Sequence, residues 1–232
     1  MNVEIEVVDD PAHACAAMLV GAVAGGGHVV LTGGSTPRAA YEELARALQE
    51  LGADPGGTTL WFGDERCVPA EDERSNFRLA REALLDPLGQ AAPTANRMRG
   101  ELGPEDGAAD YERQLQAAGT PEFELLLLGL GPDGHVASLF PNQPTLGQRD
   151  RLVVGVPEAG LEPFVPRISF TLTAIAAAQR VVFLVSGESK AEAVGRAFAS
   201  GAQPDLSVPA SLVPGVADEV TVLLDPPAAA AL

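Results

Sequence analysis

Phe123-Glu124-Leu125-Leu126-Leu127-Leu128-Gly129-Leu130-Gly131-Pro132-Asp133-Gly134-His135 is the stretch that decides the fold. Its first half is a short, continuous apolar run, the pattern of a strand buried on both faces. Its second half is a glycine-rich bend carrying an aspartate and a histidine. A strand covered on both sides needs helices above and below it, which points to a parallel sheet between helix layers. The rest of the chain repeats the theme. Val3–Val8, His28–Thr32, Thr58–Phe62, Arg151–Val156, Arg167–Leu172, Val181–Val185 and Glu219–Leu224 read as strands or extended segments. Between them, helices are predicted over Pro11 to Val23, Ser35 to Glu50, Ser75 to Leu85, Ala108 to Ala118, Thr173 to Ala178 and Ser189 to Phe198. A brief helical segment is expected at Pro209–Val213, and Pro93 to Gly107 reads as irregular. The alternation predicts an α/β fold, a mostly parallel sheet with helices on both faces, in one domain over residues 1–232. Ligands of such sheets bind beyond the strand C-termini, near a switch in strand order.

Composition narrows the function. The 232 residues include 32 acidic and 15 basic side chains, for a net charge of -17. That balance argues against nucleic acid and against an anchor on anionic lipid. An anionic substrate needs a few cations converging locally. Cys15 and Cys67 allow at most one disulfide, and His13, His28 and His135 are too scattered to suggest a metal. The opening Met1-Asn2-Val3-Glu4 does not look like a signal peptide, and no apolar stretch approaches the roughly 20 residues of a spanning helix. A cytoplasmic protein is the expectation. Monomer and homodimer both stay open.

The candidate chemistry sits where strands end. Gly33-Gly34-Ser35-Thr36 lies between a strand and a helix, so backbone N–H groups, two hydroxyls and a helix N-terminus can converge on a phosphate. The same residues also make an ordinary tight turn with a serine cap. No Walker lysine and no spaced dinucleotide glycines follow, which argues against a nucleotide. Arg167 and Lys190 are the candidate cations. In the bend after the leucines, Asp133 can orient His135 as a general base; the alternative is a capping aspartate beside a surface histidine. Asp64-Glu65-Arg66 is a second polar cluster. Arg66 suits an anion, and Asp64 or Glu65 suits a ligand hydroxyl or the histidine; an internal salt bridge would equally explain the cluster. Ser75-Asn76 offers hydrogen bonds or a helix cap. Ser138 lacks a nucleophile elbow, and Cys67 has no strong case, so water activated by His135 is the simpler chemistry.

Taken in order, Leu31–Pro37, Trp61–Arg66, Ser75–Arg78, Gly129–Phe140, Pro166–Leu172, Ser186–Lys190 and Pro209–Val213 resemble the 6-phosphogluconolactonase family. The likeness spans nearly the whole chain, with Asp133-Gly134-His135 its most specific part. It implies a modified Rossmann-like sheet and hydrolysis of 6-phospho-D-glucono-1,5-lactone in the oxidative pentose phosphate pathway, with no metal and no organic cofactor. It implies His135 as general base, Asp133 with Asp64 or Glu65 orienting it and the sugar hydroxyls, and Gly33, Gly34, Ser35, Thr36, Arg167 and Lys190 around the phosphate, with Arg66 near the sugar. The related glucosamine-6-phosphate deaminases carry a catalytic glutamate where this chain has Phe140, which favours the lactonase. Asn142 stands where a glycine often follows Pro141. A sugar-phosphate-binding regulator would need a DNA-binding segment, for which the chain has no spare length.

Overall fold

Seven strands lie side by side in the computed structural model, which describes residues 2–232. The strands are β1 (Asn2–Val7), β2 (Gly27–Leu31), β3 (Thr58–Phe62), β4 (Asp64–Arg66), β5 (Thr94–Ala95), β6 (Leu125–Leu128), β7 (Val153–Val156), β8 (Arg167–Phe170), β9 (Arg180–Val185) and β10 (Glu219–Leu224). The large sheet runs β1-β10-β9-β6-β2-β3-β5, and every pair in it is parallel. From β2 the chain steps outward through β3 to β5, then returns to place β6 on the other side of β2. The switch in strand order therefore falls between β2 and β6, where the glycine loop and the Asp133–His135 bend emerge.

The helices are α1 (Pro11–Gly25), α2 (Ser35–Leu51), α3 (Asn76–Ala80), α4 (Asp86–Leu88), α5 (Pro104–Ala117), α6 (Leu172–Ile175) and α7 (Ala191–Phe198). In α2 the buried positions Pro37, Ala40, Tyr41, Leu44, Ala45 and Leu48 recur at helical spacing, and Gly52 ends the helix in the left-handed region at φ 60°. Alternate residues of the central strands divide between two cores. Val29, Leu31, Leu60, Phe62, Leu125 and Leu127 pack under α1 and α2; Val30, Trp61, Leu126 and Leu128 face the opposite layer, which includes α5 and α7. Both faces are covered, as the leucine run requires.

The structure also departs from the predicted elements. Asp64–Arg66, expected as a polar cluster following the end of the strand Thr58–Phe62, forms a strand of its own, β4, the edge of a second, antiparallel sheet ordered β4-β8-β7. Three polar residues carry no apolar alternation, and their partner strand lies a hundred residues on, so nothing local marks them. Gly63 joins the two sheets: its N–H bonds Leu31 O and its carbonyl accepts from Phe170 N at 2.8 Å. The predicted irregular stretch Pro93–Gly107 contains β5 and the start of α5. Pro104 at the first position with Glu105 and Asp106 after it is a helix start, and Gly107 is no breaker: a Cβ there would run into the Ile168 side chain. The helix expected over Thr173–Ala178 is shorter and earlier, capped by Thr171 Oγ1. Cys15 and Cys67 are free thiols. No helix among the described residues is long and apolar enough to cross a membrane.

Candidate active site

The loops after β2, β6 and β9 and the start of the small sheet enclose a cleft of about 220 Å³, with a neighbouring lobe of about 160 Å³. Gly33, Gly34, Gly129, Leu130 and Lys190 border both. Ser35 and Thr36 line only the smaller lobe; Asp64, Arg66, His135 and Arg167 line only the larger.

The glycine loop is held from behind. Tyr41, fully buried in α2, accepts from Thr32 N at 2.9 Å and donates to Thr32 O at 2.8 Å, pinning the end of β2. Gly34 has φ 120° and caps α2. Gly33 is required for a different reason: a Cβ there would collide with the Asn76 amide. Ser35 opens the helix, so the positive end of its dipole faces the smaller lobe.

His135 is held from two sides. Its Nδ1 lies 2.6 Å from Asp133 Oδ1, and its ring packs at 4.8 Å, centroid to centroid, from Phe140. Burial opposes ionisation of Asp133, but the hydrogen bond and charge of His135 outweigh it and hold the carboxyl below its usual range. An ionised carboxylate only accepts, so this hydrogen bond requires the proton on Nδ1, the tautomer in which Nε2 is free to accept a proton. No helix follows Asp133; its Oδ1 also accepts from His135 N at 3.2 Å, closing a turn.

The small sheet brings the remaining charges. Asp64 accepts from Asn76 Nδ2 at 2.8 Å through Oδ1 and from Ser138 Oγ at 2.6 Å through Oδ2. Glu65 accepts four hydrogen bonds, from Arg66 N, Ser75 Oγ, Asn76 N and Phe77 N, at 2.7 to 2.9 Å. Burial pushes its carboxyl up against the pull of these bonds. Neither carboxylate hydrogen-bonds to His135, so of the residues expected to orient it only Asp133 contacts the ring, and the expected help from Asp64 or Glu65 does not reach it. Glu65 does not border the cleft. It organises the turn into α3 because all its acceptor capacity is taken there.

Arg167, 4% exposed, is the first residue of β8. It donates to Val165 O at 3.0 Å and Pro163 O at 2.8 Å and forms no salt bridge among the described residues. Desolvation lowers its pKa. A buried cation without a carboxylate partner favours an anion from outside. Desolvation likewise lowers Lys190, against the opposing charge of Asp133. Arg66 donates to Arg74 O at 2.5 Å, leaving its buried Nε without a partner. Sequence reasoning missed Thr32, Leu161 and Glu162 on the wall. The last two belong to an irregular proline-containing segment in which no spacing signals a role.

A family model described as glucosamine-6-phosphate isomerases/6-phosphogluconolactonase matches residues 4–222. The chain belongs to this family. Among its members, a 6-phosphogluconolactonase of Synechocystis is 41% identical over 187 residues, covering 78% of this chain and 75% of the relative. The solved 6-phosphogluconolactonase of Trypanosoma brucei superposes with a TM-score of 0.85 at 26% identity, covering 100% of this chain and 99% of the other. A monomeric glucosamine-6-phosphate deaminase superposes nearly as well, with a TM-score of 0.82 at 21% identity over 100% of both chains, so the family fold alone does not choose between the two chemistries.

Proposed function

We propose that this protein hydrolyses 6-phospho-D-glucono-1,5-lactone to 6-phospho-D-gluconate, the lactonase step of the oxidative pentose phosphate pathway, with His135 as general base. The observation that carries the mechanism is the 2.6 Å Asp133–His135 pair on a cleft that also holds Arg167 and Lys190. The phosphate is held by Gly33, Gly34, Ser35 and Thr36 at the start of α2, with Lys190 and Arg167 supplying charge. That fixed dianion places the lactone carbonyl against the histidine. His135 Nε2 takes a proton from water as the water oxygen attacks C1. The tetrahedral intermediate collapses by breaking the bond from C1 to the ring oxygen, and the imidazolium returns its proton to that oxygen. Arg66 stands near the developing negative charge, and Asp64 shapes the sugar side. Water is the second reactant, so the reaction needs no cofactor. Phe140, buried against His135, can neither donate nor accept a proton, which favours hydrolysis over deamination. A metabolic enzyme of this kind with two free thiols suits the cytoplasm.

The test is acid release from freshly generated lactone, with spontaneous hydrolysis subtracted and His135→Ala run alongside. Wild-type turnover that falls by about 10²- to 10⁴-fold in the variant supports both reaction and base. Equal turnover by both proteins discards His135 as the base. A wild-type trace no faster than the blank rejects the lactonase, and glucosamine-6-phosphate becomes the next substrate to try.

A further inference from the structure

Ala137 is one of the few non-glycine residues with positive φ, at 47°, and it stands between His135 and Ser138. It is the second residue of a tight turn closed by Leu139 N donating to Val136 O at 2.8 Å. An L-residue stays in that region only where its surroundings hold it there. Ser138, with no exposed surface, supplies the hold. Its N–H donates to Ser169 Oγ at 3.1 Å in β8, and its Oγ donates to Asp64 Oδ2 at 2.6 Å in β4. Ser169 Oγ in turn donates to Phe170 O, and Asp64 is braced by Asn76. The small sheet thus grips the turn that begins one residue after the histidine. Before the turn, Gly131 N donates to His135 O at 2.9 Å.

We propose that Ser138 is a positioning residue for His135: its two hydrogen bonds to the small sheet lock the Ala137 turn and so fix the imidazole against Asp133. This rests on the lactonase reading for its kinetic test but not for its structural one. Ser138 does not touch the reacting atoms. A serine donor suits this place because the hydroxyl reaches a buried carboxylate that would otherwise lack a partner on one oxygen.

Three variants test the proposal: Ser138→Ala, the same change combined with Ala137→Gly, and Ser169→Ala. In Ser138→Ala, kcat is expected to fall about 10- to 100-fold with KM within about threefold, because a small misplacement of a catalytic group acts on kcat. Glycine takes positive φ without steric cost, so Ala137→Gly added to Ser138→Ala is expected to recover at least about threefold of the loss. A loss of general packing would not be recovered that way. Ser169→Ala releases the same turn from the other strand and is expected to lower kcat in the same pattern; it decides the matter if Ser138→Ala does not fold. The second readout needs no turnover. The His135 Nδ1 proton, observed by NMR in ¹⁵N-histidine protein, is expected to exchange with water faster in Ser138→Ala or Ser169→Ala than in wild type. If wild type shows no lactonase activity, the proton exchange alone decides the positioning role. Unchanged kcat together with unchanged exchange overturns it, and so does a loss that appears in KM and is not recovered by the glycine.

Discussion

The two sheets meet at the cleft and contribute different kinds of chemistry. The seven-stranded sheet contributes loops: the ends of β2 and β6 turn through glycines, the N–H groups and helix start lie beside the smaller lobe, and the loops after β6 and β9 carry His135 and Lys190 to the cleft. The three-stranded sheet contributes withdrawn charge: buried Asp64, Glu65 and Arg167 and half-buried Arg66 all come from β4 and β8. The first kind is cheap to build, because a glycine turn needs only local sequence. The second needs a prepared polar surround, since each desolvated charge must find partners. Asp64 has two side-chain partners, Glu65 has four donors, and Arg167 has two carbonyls. Glycine changes should therefore damage geometry on the large sheet, whereas charge changes should damage stability on the small one.

The sharpest way to break this division is Gly131→Ala. A Cβ at Gly131 would lie 2.5 Å from Asp133 Oδ1 and in collision with the His135 ring. The expected result is a loss of about 100-fold or more in kcat, with the thermal midpoint little changed, because only the bend is disturbed. A variant with kcat within about threefold of wild type would mean that the Asp133–His135 pair is not what drives the reaction.

Glu65→Gln applies the converse test to the small sheet. Each carboxylate oxygen accepts two hydrogen bonds, so an amide turns one of these ends into a donor facing backbone N–H groups, those of Arg66 and Asn76 on one side or that of Phe77 on the other. A loss of about 3 kcal/mol in urea unfolding is expected, with kcat per folded molecule within about tenfold. If stability holds while kcat collapses, Glu65 takes part in the chemistry after all.

The same division explains what could be read from the sequence. The leucine run, the glycine loop and the Asp133-Gly134-His135 bend are local patterns, and β3, β10 and the start of α2 fall at the expected residues. The small sheet was not legible. Its three-residue strand β4 is polar throughout and pairs with Arg167–Phe170, far along the chain. For the same reason, Asp64 and Glu65 looked interchangeable. Only the fold shows that one borders the cleft and the other is spent on the turn into α3. Arg167 read as a cation before a strand, but its burial and its two carbonyl partners depend on the segment 163–165 folding back over it.

Lys190 and Arg167 sharpen the comparison at the phosphate. Both are cations partly or wholly withdrawn from water, and they follow or begin strands of different sheets. Lys190→Met is expected to raise KM about 10- to 100-fold, the worth of a charge-assisted hydrogen bond, without moving the thermal midpoint. Arg167→Met is expected to raise KM similarly and also to lower the midpoint, because it abandons Pro163 O and Val165 O. Equal effects of the two changes on stability would erase the distinction drawn between the sheets.

The smallest expected effect concerns what supports the small sheet from outside. Helix α5 packs against β7, where Glu112 accepts from Leu152 N and Val153 N. Two residues earlier on that helix, Asp110 accepts from Arg99 Nε at 2.8 Å and Gln114 Nε2 at 2.9 Å. The Arg99 hydrogen bond, against the cost of burial, holds the Asp110 carboxyl down at about 2. An unfolded aspartate titrates near 3.9. The folded state thus binds the proton less tightly, so this stabilisation is complete above about pH 4 and disappears as the pH falls through about 2. Arg99 is 47% exposed, so solvent screens the pair, and Asp110→Asn is expected to cost only about 1 kcal/mol at pH 7. Urea midpoints for wild type and variant should converge between pH 4 and pH 2. A gap that persists unchanged at pH 2.5 would mean that Asp110 supports the small sheet through neutral hydrogen bonds and packing. The charge-based account of that region would then hold only for the residues inside the cleft.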